Sequence, residues 1–265
     1  MDLATAIGLT AGFGVIIVGI INGGGELYWF LNVNSILLVL GGTIAATLVN
    51  YPLKVFLGVG GILKNVFVKE RFDYIQTIEQ LVQKAEKSRK DGILSLEGEL
   101  DQIESKFLRK GIELAINERD SARLRDYLRM EMNNIMNRHI SGQEIFLYMG
   151  SYAPAFGMLG TVLGLIVMMN NFGGSGDETL DFDVAAKFAE LLGGMGLALI
   201  TTFYGVLFAN LIFLPIGGKL KRKSEDELMM KNIIVEGIIS LHSKEHPILI
   251  REKLMTFIPS NLRTE

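Results

Sequence analysis

Threonine and proline residues stand inside long apolar segments of this chain, where polar groups are costly and therefore informative. Thr161 follows Pro154 by seven residues, two helical turns, so both face the same way on a helix. Pro154 also leaves the carbonyl of Gly150 without its amide donor. Thr201 and Thr202 occupy the middle of another apolar segment. Hydroxyl and carbonyl oxygens suit a hard cation such as Na+, but they do not titrate. These residues therefore predict an ion path whose charged group comes from elsewhere.

A competing interpretation is that each threonine is structural. A threonine hydroxyl in a membrane helix commonly bonds a carbonyl one turn earlier in its own helix. On that interpretation the hydroxyls can be lost at little cost. The spacing with Pro154, and the adjacent pair Thr201 and Thr202, favour an ion path for these positions.

The apolar segments themselves are long enough to cross a bilayer. Four windows contain no Asp, Glu, Lys or Arg, and each exceeds the ~20 residues that a transmembrane helix needs. No His lies in them either. An intramembrane charge is the usual mark of a self-contained ion transporter, so this chain looks like half of a channel. The windows predict transmembrane helices near 3–21, 31–50, 148–171 and 191–214.

Basic residues are distributed unevenly around these spans. Of 26 Lys and Arg residues, 16 lie in 51–146 and nine in 219–265, whereas loop 172–190 holds five acidic residues against Lys187 alone. Excess Lys and Arg mark the cytoplasmic side of a membrane. We therefore expect both termini in the cytoplasm of a multi-pass inner-membrane protein. The expected domains are transmembrane helices one and two, a cytoplasmic insert, transmembrane helices three and four, and a cytoplasmic tail: 1–51, 52–146, 147–217 and 218–265.

The cytoplasmic parts are predicted to be helical, which makes the fold class all-α: four transmembrane helices with a helical cytoplasmic domain inserted between helices two and three. Apolar residues recur at three- and four-residue spacing after Asp73, and Gly92 is a helix stop. We expect a second helix from Ser95 with a break at Gly111, a third from about Ser121, and a tail helix over 224–243 that Pro247 ends.

Charges of both signs lie at the elbow between the first two of these helices. Arg89 and Lys90 precede Gly92, and Glu97 and Glu99 open the next helix. Exposed charges in such a place can steer a charged partner and fix its register. Ordinary capping and matching of the helix dipole is the alternative explanation.

Small residues form a stripe on the third span. Ala153, Gly157, Gly160 and Gly164 would let another helix approach closely. We expect no partner for this stripe within one four-helix unit, and therefore predict a ring of copies.

Enzymatic chemistry has no support in the sequence. No phosphate loop, nucleophile elbow or metalloprotease motif appears. His242 and His246 stand four residues apart, but no third ligand is nearby and Pro247 interrupts the helix. We expect no enzyme, no metal site, no cofactor other than a translocated Na+ or H+, and no nucleic-acid partner.

Three motifs closely resemble the MotA/PomA family, the A subunit of the bacterial flagellar stator: "SRKDGILSLEGEL" (88–100), "YAPAFGMLGTVLGL" (152–165) and "LALITTFYGVLFANLIFLPI" (197–216). The resemblance implies five A subunits around two B subunits. The B subunit supplies a transmembrane Asp and a peptidoglycan anchor. Ion flow turns the A ring, whose cytoplasmic charges drive the C-terminal domain of the rotor protein FliG.

The resemblance also implies residue roles. Pro154 and Pro215 match the two functional prolines of the family, and Thr161, Thr201 and Thr202 match its threonines near the B-subunit Asp. In the family, threonines at the positions of Thr161 and Thr202 go with Na+, so Na+ is favoured over H+. Gly157 and Gly160 are assigned to helix coupling. Arg89, Lys90 and Glu97 match the rotor-facing charges of the family. Asp91 departs from the family pattern, because it interrupts the small residues that usually follow the basic pair.

Two other functions remain open. The first is an energy-coupling channel subunit of the ExbB/TolQ type, which has three spans and a differently arranged cytoplasmic part. The four charge-free windows of this chain argue against it. A membrane scaffold without ion flux would use its Gly and Thr residues for packing alone.

Overall fold

Helices account for nearly all of the regular structure. The computed structural model describes residues 3–68, 72–173 and 184–259, and no residue in these ranges lies in a β-strand. The predicted all-α class is confirmed. The α-helices are α1 Leu3–Asn22, α2 Val33–Ile36, α3 Gly42–Asn50, α4 Leu53–Leu57, α5 Val59–Phe67, α6 Tyr74–Asp91, α7 Lys106–Asn117, α8 Ser121–Gly173, α9 Val184–Leu207, α10 Leu214–His242 and α11 Pro247–Met255.

Short segments of other helix types join several of these elements. Leu27–Phe30 and Ile93–Gln102 are 3₁₀-helical. Leu37–Gly41 joins α2 to α3, and Phe208–Phe213 joins α9 to α10, each as a π-helical turn. The helical run therefore continues from α2 into α3 and from α9 into α10.

Four helical segments of the described chain are long and apolar enough to cross a membrane. The four predicted spans are confirmed in number and place. The third and fourth are parts of much longer helices, because α8 has 53 residues and begins at Ser121. The segments are Leu3–Asn22, Leu27–Asn50, Ser121–Asn170 and Leu191–His242.

The chain divides into two compact units. The first comprises Met1–Lys69 and Ser141–Leu220, and the second comprises Glu70–Ile140 and Lys221–Glu265. Both divisions after residue 120 fall inside continuous helices, α8 and α10.

In the first unit, most of the buried side chains come from α8, α9, the π-helical turn Phe208–Phe213 and the start of α10. The Tyr204 hydroxyl on α9 donates to the carbonyl of Phe30. A Cβ added at Gly42 on α3 would lie only 2.2 Å from the Phe156 ring on α8, so the two helices are in close contact. Buried Thr43 and Thr47 on α3 donate to carbonyls one turn earlier, which satisfies their hydroxyls. These contacts hold the second span against α8 and α9.

In the second unit, helices surround an aliphatic core. The core side chains come from α6, the 3₁₀-helix Ile93–Gln102, α7, the start of α8, the end of α10, and α11. Gly111 lies at the contact of α7 with α10, where an added Cβ would come within 2.3 Å of Ile238 Cδ1. The fully buried large side chains of this core are Ile78, Leu81, Leu96, Leu108, Ile112, Leu124, Leu128, Ile233, Ile238, Leu241 and Ile250.

Several sequence expectations for the second unit need correction. The segment after Ser95 is a 3₁₀-helix, not an α-helix, although it carries acidic residues in the expected places. Gly111 does not break its helix, because α7 runs through it and uses the missing side chain for packing. The tail helix does not begin at 224, because it is the C-terminal part of α10, which ends at His242. Pro247 begins a further helix, α11, that the sequence analysis did not predict.

Three predictions in this unit are confirmed. A helix begins after Asp73, whose side chain accepts a hydrogen bond from the backbone N–H of Gln76. Gly92 ends it with φ +85° and ψ 159°, a conformation that L residues rarely adopt. The third helix begins at Ser121 as expected. Gly92 thereby sets the chain direction at the charged elbow.

Candidate ion path and charged elbow

The small-residue stripe of α8 packs against α9 within the same chain. An added Cβ at Gly160 would lie 2.5 Å from Thr201 Cβ, and one at Gly157 would lie 3.0 Å from the Thr201 carbonyl oxygen. One at Gly164 would lie 3.1 Å from Ala198 Cβ. Backbones can approach this closely only where side chains are absent or very small.

This packing corrects the expectation that the stripe lacks a partner inside one four-helix unit. Helix α9 covers it, and Ala153 is fully buried. The stripe therefore no longer argues for a ring of copies.

Helix α9 contributes its own small residue, which the sequence analysis missed. An added Cβ at Gly205 would lie 2.7 Å from the carbonyl oxygen of Ala153 and 3.2 Å from Pro154 Cα. The signal was present, since Ala198, Thr201 and Gly205 recur at three- and four-residue spacing.

The three threonines differ in what their hydroxyls bind. Thr161 donates to the Met158 carbonyl at 2.6 Å, and Thr201 donates to the Ala198 carbonyl at 2.7 Å, both within their own helices. Thr202 instead reaches from α9 to α8, where its Oγ lies 3.5 Å from the Gly157 carbonyl oxygen. A hydroxyl that donates its proton to a carbonyl retains its lone pairs, so each can still act as an oxygen ligand.

The structure brings Thr201 and Thr202 to the glycines of α8. Thr201 is buried against Gly160, and Thr202 lies half-buried beside Gly157. Thr161 follows Gly160 directly and is half-buried. The four predicted ion-path residues thus belong to, or adjoin, one close contact between α8 and α9.

The two prolines have different settings. Pro154 lies inside α8 and is half-buried against Gly205, so α8 continues through it. Pro215 is exposed near the start of α10, directly after the π-helical turn Phe208–Phe213. Pro lacks the N–H that an α-helix needs, and a π-helical turn is one way to absorb that loss.

The charged elbow separates into paired and unpaired residues. Arg89, Lys90 and Glu97 are exposed, and none forms an ion pair with any residue in the described ranges. Glu99, by contrast, binds Lys87 at 2.5 Å and Lys84 at 3.2 Å.

The Glu99 pairs are structural. The hydrogen bond from Lys87, and to a smaller extent that from Lys84, holds the pKa of the Glu99 carboxyl below its usual value. The pairs join α6 to the following 3₁₀-helix and so hold the elbow in shape. The three unpaired charges are left free for an outside partner.

The segment that contains α8 and α9 also matches known proteins. The sequence pattern of the MotA/TolQ/ExbB proton channel family matches residues 99–232. The Bacillus subtilis protein YtxD, described as uncharacterized, is 33% identical over 97% of this chain and 90% of its own length. The chemotaxis protein PomA of Vibrio alginolyticus is 32% identical over 99% of this chain and 98% of its own length.

This chain belongs to the MotA/PomA family. The flagellar MotAB stator complex from Bacillus subtilis contains a chain with the same fold, at a TM-score of 0.84 and 27% identity, over 97% of this chain and 96% of that one. Membership of a channel family confirms the expectation that the protein is not an enzyme. The MotA/PomA relatives and the four apolar helices identify a multi-pass protein of the inner membrane.

Proposed function

We propose that this MotA/PomA-family chain is the A subunit of a flagellar stator that converts ion flow into torque. The observation that carries the proposal is the α8–α9 contact, where hydroxyls line a close-packed helix pair in spans without a carboxylate. Such a path needs a charged group from a second protein. A B subunit with a transmembrane Asp supplies it. Four spans, rather than three, favour this role over an ExbB/TolQ-type subunit.

The ion path runs along Pro154, Thr161, Thr201 and Thr202 beside the Asp of the B subunit. Hydroxyl and carbonyl oxygens replace part of the hydration shell of a cation in such a site. A proton needs only a carboxylate and water, whereas Na+ needs several oxygens. Because Thr161 and Thr202 both carry hydroxyls with free lone pairs, Na+ is the favoured ion.

Torque leaves the protein through Arg89, Lys90 and Glu97, which contact the C-terminal domain of FliG. These side chains are exposed and unpaired within the described chain, as docking requires. The elbow is cytoplasmic, as are both termini. Pro215 and the Gly157–Gly160 contact couple helix movement to the cytoplasmic part.

Assembly is expected to be a ring of five copies around a B-subunit dimer. Exposed apolar side chains on α1, which has no buried residue among Leu3–Asn22, are available to neighbouring subunits or lipid. Native mass measurement of the detergent-purified chain with its B subunit tests this. We expect five A chains with two B chains. A monomeric chain that recovers no B subunit would contradict the proposed function.

Reversing the charges of the elbow should impair motility without affecting the membrane complex. We expect Arg89→Glu and Glu97→Lys each to reduce swimming, because both side chains meet only a partner. Exposed pairs are worth about 0.2–1 kcal/mol each, so neutral substitutions should have mild effects. Swimming is measured together with membrane insertion and B-subunit binding.

The matched control uses a cation of the same helix that is already paired. Lys87→Glu removes a bond to Glu99 and should affect the stability of the elbow, which charge reversal in FliG cannot restore. For Arg89→Glu, reversal in FliG should restore part of the swimming. Unchanged swimming of the double variant Arg89→Glu, Glu97→Lys would remove both residues from the rotor contact.

A further inference from the structure

A short helical segment, α4 and α5, follows the second span directly and is positively charged. The span ends at Asn50, and α4 begins three residues later. Gly58 joins α4 to α5 in a right-handed helical conformation. Residues 51–68 contain two charged side chains, Lys54 and Lys64, and no Asp, Glu or Arg. The segment is therefore purely cationic at the point where the chain leaves the membrane.

One side of α5 packs on α8 at the edge of the membrane. A Cβ added at Gly142 would lie 3.0 Å from Ile62 Cδ1, and Val66, one turn further along α5, is fully buried. Gly142 lies three residues, about 5 Å along a helix, before the charge-free window 145–176 of the third span. The segment thus adjoins the ends of two spans, which is the level of the lipid headgroups.

The other side of the segment carries exposed leucine and lysine side chains. Leu53 and Leu57 are 62% and 71% exposed, and Lys64 follows Leu57 by seven residues, two helical turns. A Cβ added at Gly60, which lies between them in the sequence, would meet nothing within 4 Å. Lys54 and Lys64 are exposed, and neither forms an ion pair with a residue that the structure describes. This face therefore presents apolar surface together with unpaired positive charge.

A lipid surface complements both properties of this face. Exposed leucine side chains at the edge of a span favour hydrocarbon over water, and a lysine stem can lie along acyl chains while its ammonium reaches the headgroups. Anionic leaflets attract basic residues next to a span. Ten residues, about 15 Å along a helix, separate Lys54 from Lys64, so each lysine meets a different headgroup.

We propose that α4 and α5 bind anionic phospholipids, with Lys54 and Lys64 each contacting a headgroup phosphate and Leu53 and Leu57 lying among the acyl chains. Zwitterionic lipids carry the same phosphate, but their own ammonium group cancels its charge, so the segment selects anionic lipid. The proposal rests on the membrane location of the chain and not on the proposed stator function.

The test places a fluorophore on the proposed lipid-binding face. The chain contains no cysteine, so Gly60→Cys gives a single labelling site in open space beside Lys64. The labelled full-length chain, with a B subunit that lacks cysteine, is reconstituted in phosphatidylcholine vesicles that contain phosphatidylglycerol. Either lipid is then supplied with brominated acyl chains, which quench the fluorophore on contact. The ratio of the two quenching curves gives the local preference for phosphatidylglycerol.

We expect brominated phosphatidylglycerol to be preferred about fivefold at this label, which is the gain that one lysine near an anionic surface provides. In Lys54→Gln, Lys64→Gln the preference should fall towards one, whereas Lys54→Arg, Lys64→Arg should retain it. The matched control neutralises two exposed cations elsewhere, Lys221→Gln and Arg222→Gln, and should leave the preference unchanged.

Three results would overturn the proposal. Equal quenching by both lipids would mean that the segment does not select anionic lipid. Absence of quenching by either lipid would mean that a protein surface, from a second copy or from the B subunit, covers this face. Equal loss of preference in the control variant would assign it to the general charge of the protein. If the glutamine variant does not fold, raised salt should weaken the preference of the parent chain, and a salt-independent preference would contradict the role of the lysines.

Discussion

Replacing Gly205 with alanine is expected to separate α8 from α9 and abolish motor function. The added methyl group would lie 2.7 Å from the Ala153 carbonyl oxygen and 3.1 Å from Gly157 Cα. Both obstacles are backbone atoms, so no side-chain rotation can relieve the contact. Overpacking of this kind costs about 1–3 kcal/mol. Thermal unfolding of the detergent-purified chain should shift to lower temperature, and swimming should be lost.

Other glycines of the same helix provide the matched control. Gly193 and Gly196 also lie in α9, but a Cβ added at either would meet nothing within 4 Å in this chain. Alanine is the better helix former, so Gly193→Ala and Gly196→Ala should leave the unfolding temperature unchanged or raise it. Equal destabilisation by all three substitutions would mean that the α8–α9 contact is not what the glycines serve.

Removing the Thr202 hydroxyl is expected to change the ion requirement of the motor. The side chain reaches from α9 towards the Gly157 carbonyl of α8, so Thr202→Ala removes an oxygen at the helix contact. Loss of one ligand should raise the half-saturating Na+ concentration by about tenfold, equivalent to about 1.4 kcal/mol. Thr161→Ala should act in the same direction. Rotation of tethered cells is measured against external Na+ at fixed pH and membrane potential.

Thr10 provides a threonine outside this helix pair. Its hydroxyl donates to the Ala6 carbonyl at 2.9 Å within α1. Thr10→Ala should leave the Na+ dependence unchanged, whereas a shift as large as that of Thr202→Ala would indicate a general effect of lost hydroxyls. Full rotation of the unsubstituted motor in Na+-free potassium buffer would mean that H+ drives it.

Hydrophobic length and residue type were sufficient to predict the membrane part. Four charge-free windows predicted four spans, because crossing a bilayer is a one-dimensional constraint that the sequence states directly. The helix stop at Gly92 was equally local, since its φ of +85° depends on that residue alone.

Features that depend on tertiary packing were harder to predict. Gly111 resembled a helix break by propensity, yet α7 passes through it because Ile238 fills the space of the missing side chain. For the small-residue stripe of α8, the sequence predicts a partner outside the chain, because periodicity reveals a small-residue face but not which helix covers it. The sequence likewise could not show that Glu99 is paired while Glu97 is free, since both are acidic and two residues apart.

Ion-driven rotation by the complete stator tests the proposed function most directly. This chain and a B subunit with a transmembrane Asp are expressed in cells that lack their own stator, and the rotation of tethered cells is recorded as external Na+ is raised. We expect saturable, Na+-dependent rotation that stops when the transmembrane Asp of the B subunit is replaced by Asn. An assembled A–B complex in the membrane that never rotates the motor, with Na+ or with H+, would contradict it.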